Sequence, residues 1–232
     1  MRNKFDKELD NLNAELINMG ALCEEGMNSA VSAIFEEDEA KRLELVKKAE
    51  ASEREIDQME RDIEALCMKL LLQQQPVARD LRIISSALKM ISDMERVGDQ
   101  AQDIAEIVQY MAKEEIPSKD HLRNMADFAV NMLSSSINAF VEQNVELARK
   151  VILDDDIVDS FFAKVKADLI QALTEVSRSE NKENYEEDTS YGQFLLDILM
   201  IAKYIERVGD HATNIAEWVC YGLTGMHPEE KN

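Results

Sequence analysis

Apolar residues recur every three or four positions along almost the whole chain, which is the spacing of amphipathic α-helices. The pattern predicts six long helices, over about residues 4–35, 39–73, 76–113, 119–142, 145–177 and 191–223. The interruptions lie at Glu36–Asp38, at Ile116–Ser118 and in the polar segment Ser177–Ser190, which we expect to form a flexible loop. Because helix-forming residues dominate and the chain has only seven Gly and three Pro, we predict an all-α chain.

The third and sixth predicted helices carry nearly the same sequence, ERVGDQAQDIAE from Glu95 and ERVGDHATNIAE from Glu206. Aligned without gaps, residues 92–111 and 203–222 share eleven of twenty residues. Such self-similarity indicates an internal duplication. We therefore predict two tandem, pseudo-symmetric antiparallel three-helix bundles, with a first repeat over residues 1–116 and a second over residues 117–232.

Each copy of the motif spaces its acidic residues four positions apart, so that their side chains stack on one face of a helix. These positions hold Glu95, Asp99 and Asp103 in the first copy, and Glu206, Asp210 and Asn214 in the second. An apolar stripe leads into the face, so we expect the carboxylates to be partly buried. A mid-helix glycine costs about 1 kcal/mol relative to alanine. The repeated glycines Gly98 and Gly209 therefore suggest that something approaches the helix backbone closely there.

Partly buried carboxylates that repel one another must take up protons or be neutralised by a cation. Carboxylates from several helices around one site are typical of iron, manganese and zinc sites in helical bundles. The middle helix of each repeat offers further candidate ligands, which are Glu53 and Asp57 in the first and Asp156 and Asp159 in the second. A gapless alignment of residues 27–67 with 133–173 places Glu53 on Asp159.

Two alternatives stay open beside a metal-binding protein. A metal-free helical scaffold would keep its acids solvated, as most acidic helix faces do. A carboxylate-bridged di-iron enzyme would need a Glu-x-x-His pair on two helices, but none of His121, His211 and His227 has a glutamate three positions before it. His211 follows Asp210 and would add a ligand in one copy only. Since no phosphate loop, nucleophile elbow or HExxH motif occurs, we expect no catalytic residues and no enzyme activity.

The formal net charge is −21, from 47 acidic and 26 basic residues. Nucleic acid and anionic lipid are therefore disfavoured partners, whereas cations or basic patches on another protein are favoured. Three widely spaced cysteines and a charged start without an apolar leader are typical of a cytoplasmic protein. No uncharged apolar run approaches the roughly 18 residues of a membrane span.

The runs PVARDLRIISSALKMISDMERVGDQAQDIAE and IAKYIERVGDHATNIAEWVCYGLTG resemble the two signature regions of the PhoU family. The resemblance covers the whole chain as two three-helix repeats. It implies multinuclear metal clusters held by ExxxD motifs, here Glu95 with Asp99 and Glu206 with Asp210. It also implies a cytoplasmic, often dimeric accessory protein that negatively regulates phosphate uptake through two-component signalling. The implied partners are the ATPase of a phosphate ABC transporter (PstB-like) and a sensor histidine kinase (PhoR-like).

The two repeats are not identical around the motif. The ARDLR segment, Ala78–Arg82, has no counterpart in the second repeat, and Asp103 is matched by Asn214, a weaker metal ligand. If both acidic faces bind metal, we therefore expect them to differ in affinity or nuclearity.

Overall fold

The structure is a computed structural model that describes residues 2–74, 76, 79–178 and 185–228. It contains six helices, which are α1 (Arg2–Phe35), α2 (Glu39–Gln74), α3 (Arg79–Tyr110), α4 (Lys119–Val141), α5 (Val145–Arg178) and α6 (Tyr185–Thr224). No strand occurs in the described part of the chain. The predicted all-α fold with six long helices is confirmed.

Two of the helices differ from their predicted bounds by three residues or more. Helix α3 runs from Arg79 to Tyr110 rather than from Pro76 to Lys113. Helix α6 begins at Tyr185, six residues earlier than predicted. The predicted loop is therefore wrong for residues 185–190, and also for residues 177 and 178, which end α5; residues 179–184 lie outside the described ranges. A long helix needs no apolar face in its first turn when later turns are packed.

The helices are arranged as two bundles and also as two layers. Helices α1, α2 and α3 contact one another as one three-helix bundle, and α4, α5 and α6 form a second. The bundles meet where α3 packs against α6 and α1 against α4. Helices α2, α3, α6 and α5 therefore form one layer in that order, with α1 and α4 together behind it. Buried side chains form one continuous core through both bundles. The core therefore does not mark a division between two domains, and the predicted boundary at residue 116 stays a prediction.

Buried side chains recur every seven residues along the outer helices of the layer. They are Ala49, Ile56, Ile63 and Leu70 in α2, and Val151, Val158, Val165 and Ala172 in α5. Matching the two series places Ile56 on Val158. The gapless alignment placed Ile56 on Phe162, one helical turn away, and is therefore wrong for α2 and α5. It holds for the end of α1 and of α4, in which the matched positions Met27 and Leu133 are both fully buried.

Candidate metal-binding faces

The first acidic face lies where α3 packs closely against α2. Gly98 faces α2, and a Cβ at this position would lie 3.1 Å from Cδ1 of Ile56. A larger residue would hold the helices apart. Four carboxylates from the two helices lie close enough beside this contact for their charges to interact, and they are Glu53, Asp57, Glu95 and Asp99.

Two carboxylates of the first acidic face, Glu53 and Glu95, resist ionisation. Burial raises the pKa of Glu95, the charge of Asp99 raises it further, and Arg96 lowers it. Burial also raises the pKa of Glu53, followed by the charges of Asp57 and Asp99. Each side chain thus favours a proton or a cation over an unpaired negative charge.

The second acidic face repeats this arrangement where α6 packs against α5. Gly209 faces α5, and a Cβ at this position would lie 3.4 Å from both Oδ1 of Asp155 and Cγ1 of Val158. Four carboxylates again surround the contact, and they are Asp155, Asp159, Glu206 and Asp210.

Asp155 is the most strongly perturbed acid of this face. Its pKa is raised to about 6, first by burial and then by the charges of Asp210 and Asp159. The Thr213 hydroxyl opposes the rise, although it lacks full hydrogen-bond geometry to any partner among the described residues. Burial also raises the pKa of Asp210, followed by the charge of Glu206.

The structure corrects which residues of α5 join this face. Asp155 takes the place that Glu53 holds in the first face, and Asp159 takes that of Asp57. The candidate ligand Asp156 is exposed and lies one position away from this register. The gapless alignment missed Asp155 because it was displaced by one turn; matching the seven-residue series of buried side chains in α2 and α5 finds it.

Cations at the edges of the two faces differ. In the first face, Arg96 lies 3.0 Å from an Asp99 oxygen and 3.5 Å from a Glu95 oxygen. In the second, Lys203 pairs with Glu206. Lys203 also lies 5.6 Å from the ring centroid of Phe162. Both cations leave part of the negative charge of their face without a partner.

The third position of each motif belongs to the contact between α3 and α6. The Asn214 side chain donates a hydrogen bond of 3.0 Å to Asp93, and Nδ1 of His211 lies 2.9 Å from the same carboxylate oxygen. Burial raises the pKa of Asp103, followed by the charges of Glu106 and Asp99. The Asp103-to-Asn214 difference therefore changes the contact between the repeats more directly than it changes either acidic face.

The PhoU domain model matches the chain twice, over residues 6–108 and 122–219. The chain belongs to the PhoU family. The relatives include the phosphate-specific transport system accessory protein PhoU homolog of Clostridium acetobutylicum, which is 32% identical over 97% of this chain and 96% of its own. PhoU homolog 1 of Methanothermobacter thermautotrophicus is 35% identical, with the same coverage of 97% and 96%.

Solved PhoU structures share the fold. The crystal structure of PhoU from Pseudomonas aeruginosa superposes with a TM-score of 0.81 and 29% identity, covering 96% of this chain and 100% of that one. The phosphate transport system regulatory protein PhoU from Streptococcus pneumoniae gives a TM-score of 0.78 and 26% identity, over 96% and 98%. The two PhoU domains of this chain coincide with its two bundles.

The histidines of this PhoU family member have partners of their own. His121 lies 2.8 Å from Asp168, His211 pairs with Asp93, and His227 packs edge-to-face against Trp218 with ring centroids 4.9 Å apart. His211 remains close enough to Asp210 to oppose part of the rise in the pKa of that carboxyl. A di-iron site with one histidine on each of two helices gains no support from this arrangement.

The donor chemistry of the two acidic faces fits iron, zinc or manganese, because each face presents carboxylates on two helices and at least two of them have raised pKa values. Within the described residues, however, no three acidic, histidine or cysteine side chains lie close enough together to hold a metal ion. A cation would therefore have to draw the carboxylates inward. Among the described helices, none has the length and apolarity needed to cross a bilayer.

Proposed function

We propose that this protein is an accessory protein of a phosphate transport system and regulates phosphate uptake through protein contacts, without catalysis. The carrying observation is the pair of PhoU domains, matched over both bundles. Relatives named as phosphate-specific transport system accessory proteins match it along nearly their whole length.

Within that role, we infer a cytoplasmic homodimer that acts as a negative regulator of the phosphate-starvation response. It would link the ATPase of a phosphate ABC transporter to a sensor histidine kinase of a two-component system. The support is the resemblance of the paired ERxGD motifs at Glu95 and Glu206 to the PhoU signatures.

Deletion of the gene tests this role. In phosphate-rich medium, we expect the deletion strain to express a phosphate-starvation reporter that the parent strain keeps silent. Complementation with the intact gene should restore silence. A reporter that stays silent in the deletion strain, together with unchanged phosphate uptake, would overturn the proposed function.

We further propose that both acidic faces bind metal ions of the iron, zinc or manganese type. The residues that would hold them are Glu53, Asp57, Glu95, Asp99, Asp155, Asp159, Glu206 and Asp210. The raised pKa values support this, because a cation relieves the repulsion that otherwise requires protonation. The bound metal would supply positive charge that stabilises the helix contacts at Gly98 and Gly209.

Elemental analysis of protein purified from its native cells tests the metal proposal. We expect metal to be retained after gel filtration and removed by a chelator. Protein that is free of metal, and whose unfolding temperature does not respond to added iron, zinc or manganese, would contradict it.

A further inference from the structure

A groove runs along the seam between α3 and α6, in the layer that also carries the two acidic faces. It consists of two adjoining cavities of about 790 and 380 Å³ that share Asp103. We call it the seam groove. Its wider part is lined by Glu50, Glu106, Tyr110, Asp197 and Tyr204, and its narrower part by Arg96, Asp99, Gln100 and Arg207. The narrower part shares Asp99 with the first acidic face, whereas no residue that lines the wider part belongs to either acidic face.

The wider part of the seam groove is negatively charged. Glu50, Asp103, Glu106 and Asp197 contribute carboxylates, and no Lys or Arg lines this part. Among the described residues, none of these four carboxylates forms an ion pair. Burial and neighbouring acids raise the pKa of Asp103. The charge of the groove therefore favours a cationic occupant.

The narrower part contains an acceptor that lacks a donor. Gln100 is 2% exposed, and its buried Oε1 has no hydrogen-bond partner among the described residues. Leaving such an acceptor unpaired is costly. Because an arginine or lysine side chain brings several N–H donors, it could satisfy Gln100 while it neutralises Asp103.

Two tyrosines add apolar surface beside these acids. Tyr110 is 83% exposed at the edge of the wider part, and Tyr204 lies across the seam near Asp103. Exposed tyrosines are enriched in protein–protein interfaces, and their ring faces attract guanidinium groups. The groove thus combines carboxylates, an unpaired acceptor and aromatic faces, which together suit a basic polypeptide better than a small ion.

The opposite end of the same seam holds cations of the chain itself. There Arg82 occupies the position equivalent to Gln193 of the groove, and its guanidinium carbon would lie 3.5 Å from a Cβ at Gly225. Lys89 lies 5.9 Å from the ring centroid of Trp218, the residue equivalent to Ile107. That end of the seam therefore carries basic side chains of the chain itself, one of them over an aromatic ring, whereas no Lys or Arg lines the wider part of the groove.

We propose that the seam groove binds a segment of a partner protein that is rich in arginine and lysine. The proposal rests on the proposed function only in that an accessory protein requires a partner. The negative charge of the groove and the unpaired Gln100 acceptor support the proposal whether or not the protein regulates phosphate uptake.

Binding of a fluorescein-labelled peptide of alternating arginine and alanine to the purified chain tests the proposal by fluorescence anisotropy. We expect Glu106→Gln with Asp197→Asn to weaken binding about tenfold, the loss expected for two ion pairs at the edge of an interface. The matched control, Glu44→Gln with Asp127→Asn, removes two exposed acids outside the groove and should change the affinity less than twofold. Equal losses in both variants would show unspecific attraction and overturn the proposal.

Gln100→Met provides a second readout, because methionine has nearly the same volume and no acceptor of this strength. We expect it to raise the unfolding temperature of the free chain and to weaken peptide binding severalfold, with helix content checked by circular dichroism. A lower unfolding temperature together with unchanged peptide binding would show that water already satisfies Gln100, and would overturn the proposal.

The same assay distinguishes the basic peptide from two other occupants of the groove. Full displacement of the peptide by Mn²⁺, at the concentration that saturates the two acidic faces, would assign the groove to small cations. A groove variant that alters the oligomeric state and leaves peptide affinity unchanged would assign it to a second copy of the chain. Either result overturns the proposal. The assay uses purified protein and the deletion experiment uses cells, so the two proposals are tested separately. Absence of peptide binding would overturn the groove proposal even if the deletion strain has the expected phenotype, and absence of that phenotype would leave the peptide result unaffected.

Discussion

The two acidic faces occupy equivalent places in the two bundles, but they differ in one side-chain length. The first face takes Glu53 from its outer helix, and the second takes Asp155, which is one methylene shorter. The Asp155 carboxylate lies directly against the α6 backbone, with Oδ1 3.4 Å from where a Cβ of Gly209 would be. Its burial, with the charges of Asp210 and Asp159, raises its pKa to about 6.

The edges of the two faces differ as well. In the first face, Ser92 donates a hydrogen bond of 3.2 Å to Glu60, which adds another carboxylate beside Glu95. In the second face, the same two positions hold Lys203 and Phe162, which form a cation–π contact. The duplicated helix packing has thus been kept while the charge around it has changed, so the two faces should respond differently to protons and cations.

Manganese binding gives the largest expected effect on the stability of the fold. At a free Mn²⁺ concentration of about one hundred times the dissociation constant, binding to one site stabilises the fold by about 2.7 kcal/mol. We expect Glu95→Gln with Asp99→Asn to abolish binding at the first face only, and Glu206→Gln with Asp210→Asn to abolish it at the second only. Calorimetric titration of chelator-treated protein measures both stoichiometry and affinity.

Asp103→Asn is the control for this experiment. Because Asp103 lies in the contact between α3 and α6, we expect the variant to keep both sites. Loss of one site in Asp103→Asn, or retention of both sites in either double variant, would contradict the assignment of the two faces.

Asp155→Asn should have the next largest effect, in metal-free protein. Asp155 has an unfolded pKa near 3.8 and a folded pKa of about 6. Protonation of Asp155 therefore stabilises the fold fully below pH 3.8, and this contribution is lost as the pH rises through about 6. The full shift corresponds to about 3 kcal/mol, which solvent screening of this partly exposed group reduces to about 1–2 kcal/mol.

We therefore expect Asp155→Asn to be more stable than the parent chain by about 1–2 kcal/mol at pH 7.5, and equally stable near pH 3.8. Urea unfolding with a chelator present measures the difference. Asp156→Asn is the matched control, since Asp156 is exposed, and it should change stability by less than about 0.5 kcal/mol. Equal effects of the two substitutions would contradict the register in which Asp155 takes the place of Glu53.

Much of the fold was predictable because helical periodicity and the repeated ERxGD motif are local features. The number of helices, most of their bounds and the bundle architecture follow from them. The motif also located Glu95, Asp99, Glu206 and Asp210 correctly on the helix faces that meet α2 and α5. What the motif could not reveal is which turn of the neighbouring helix lies opposite, because that depends on packing between helices.

Asp155 shows the limit of the gapless alignment. Its neighbour Asp156 has the same chemistry, and only the seven-residue series through Val151, Val158 and Val165 separates the two. Asp103 and Asn214 show a second limit, since their spacing from the motif suggested ligands, whereas the contact between the two bundles determines their partners. Contacts between repeats leave no periodic signal in the sequence of either repeat.

The smallest expected effect comes from the two motif glycines. Replacing a mid-helix glycine by alanine gains about 1 kcal/mol when space allows. At Gly209 the new Cβ would meet Asp155 and Val158 at 3.4 Å, which is ordinary contact. At Gly98 it would meet Cδ1 and Cγ2 of Ile56 at 3.1 and 3.3 Å, so this branched side chain must move. We therefore expect Gly209→Ala to stabilise the fold by about 1 kcal/mol more than Gly98→Ala does.

A double-mutant cycle with Ile56→Val tests the cause of this difference, because valine lacks the Cδ1 that a Cβ at position 98 would touch. In the Ile56→Val background, we expect Gly98→Ala to recover most of the missing stabilisation, whereas Gly209→Ala should be unaffected. Urea unfolding of the four variants measures the coupling. If Gly98→Ala stays unfavourable in the Ile56→Val background, the close approach of Ile56 is not its cause, and the two helix contacts differ for another reason. If instead both glycines gain equally from the start, the two helix contacts are packed alike, and the two faces differ only in the side chains around those contacts.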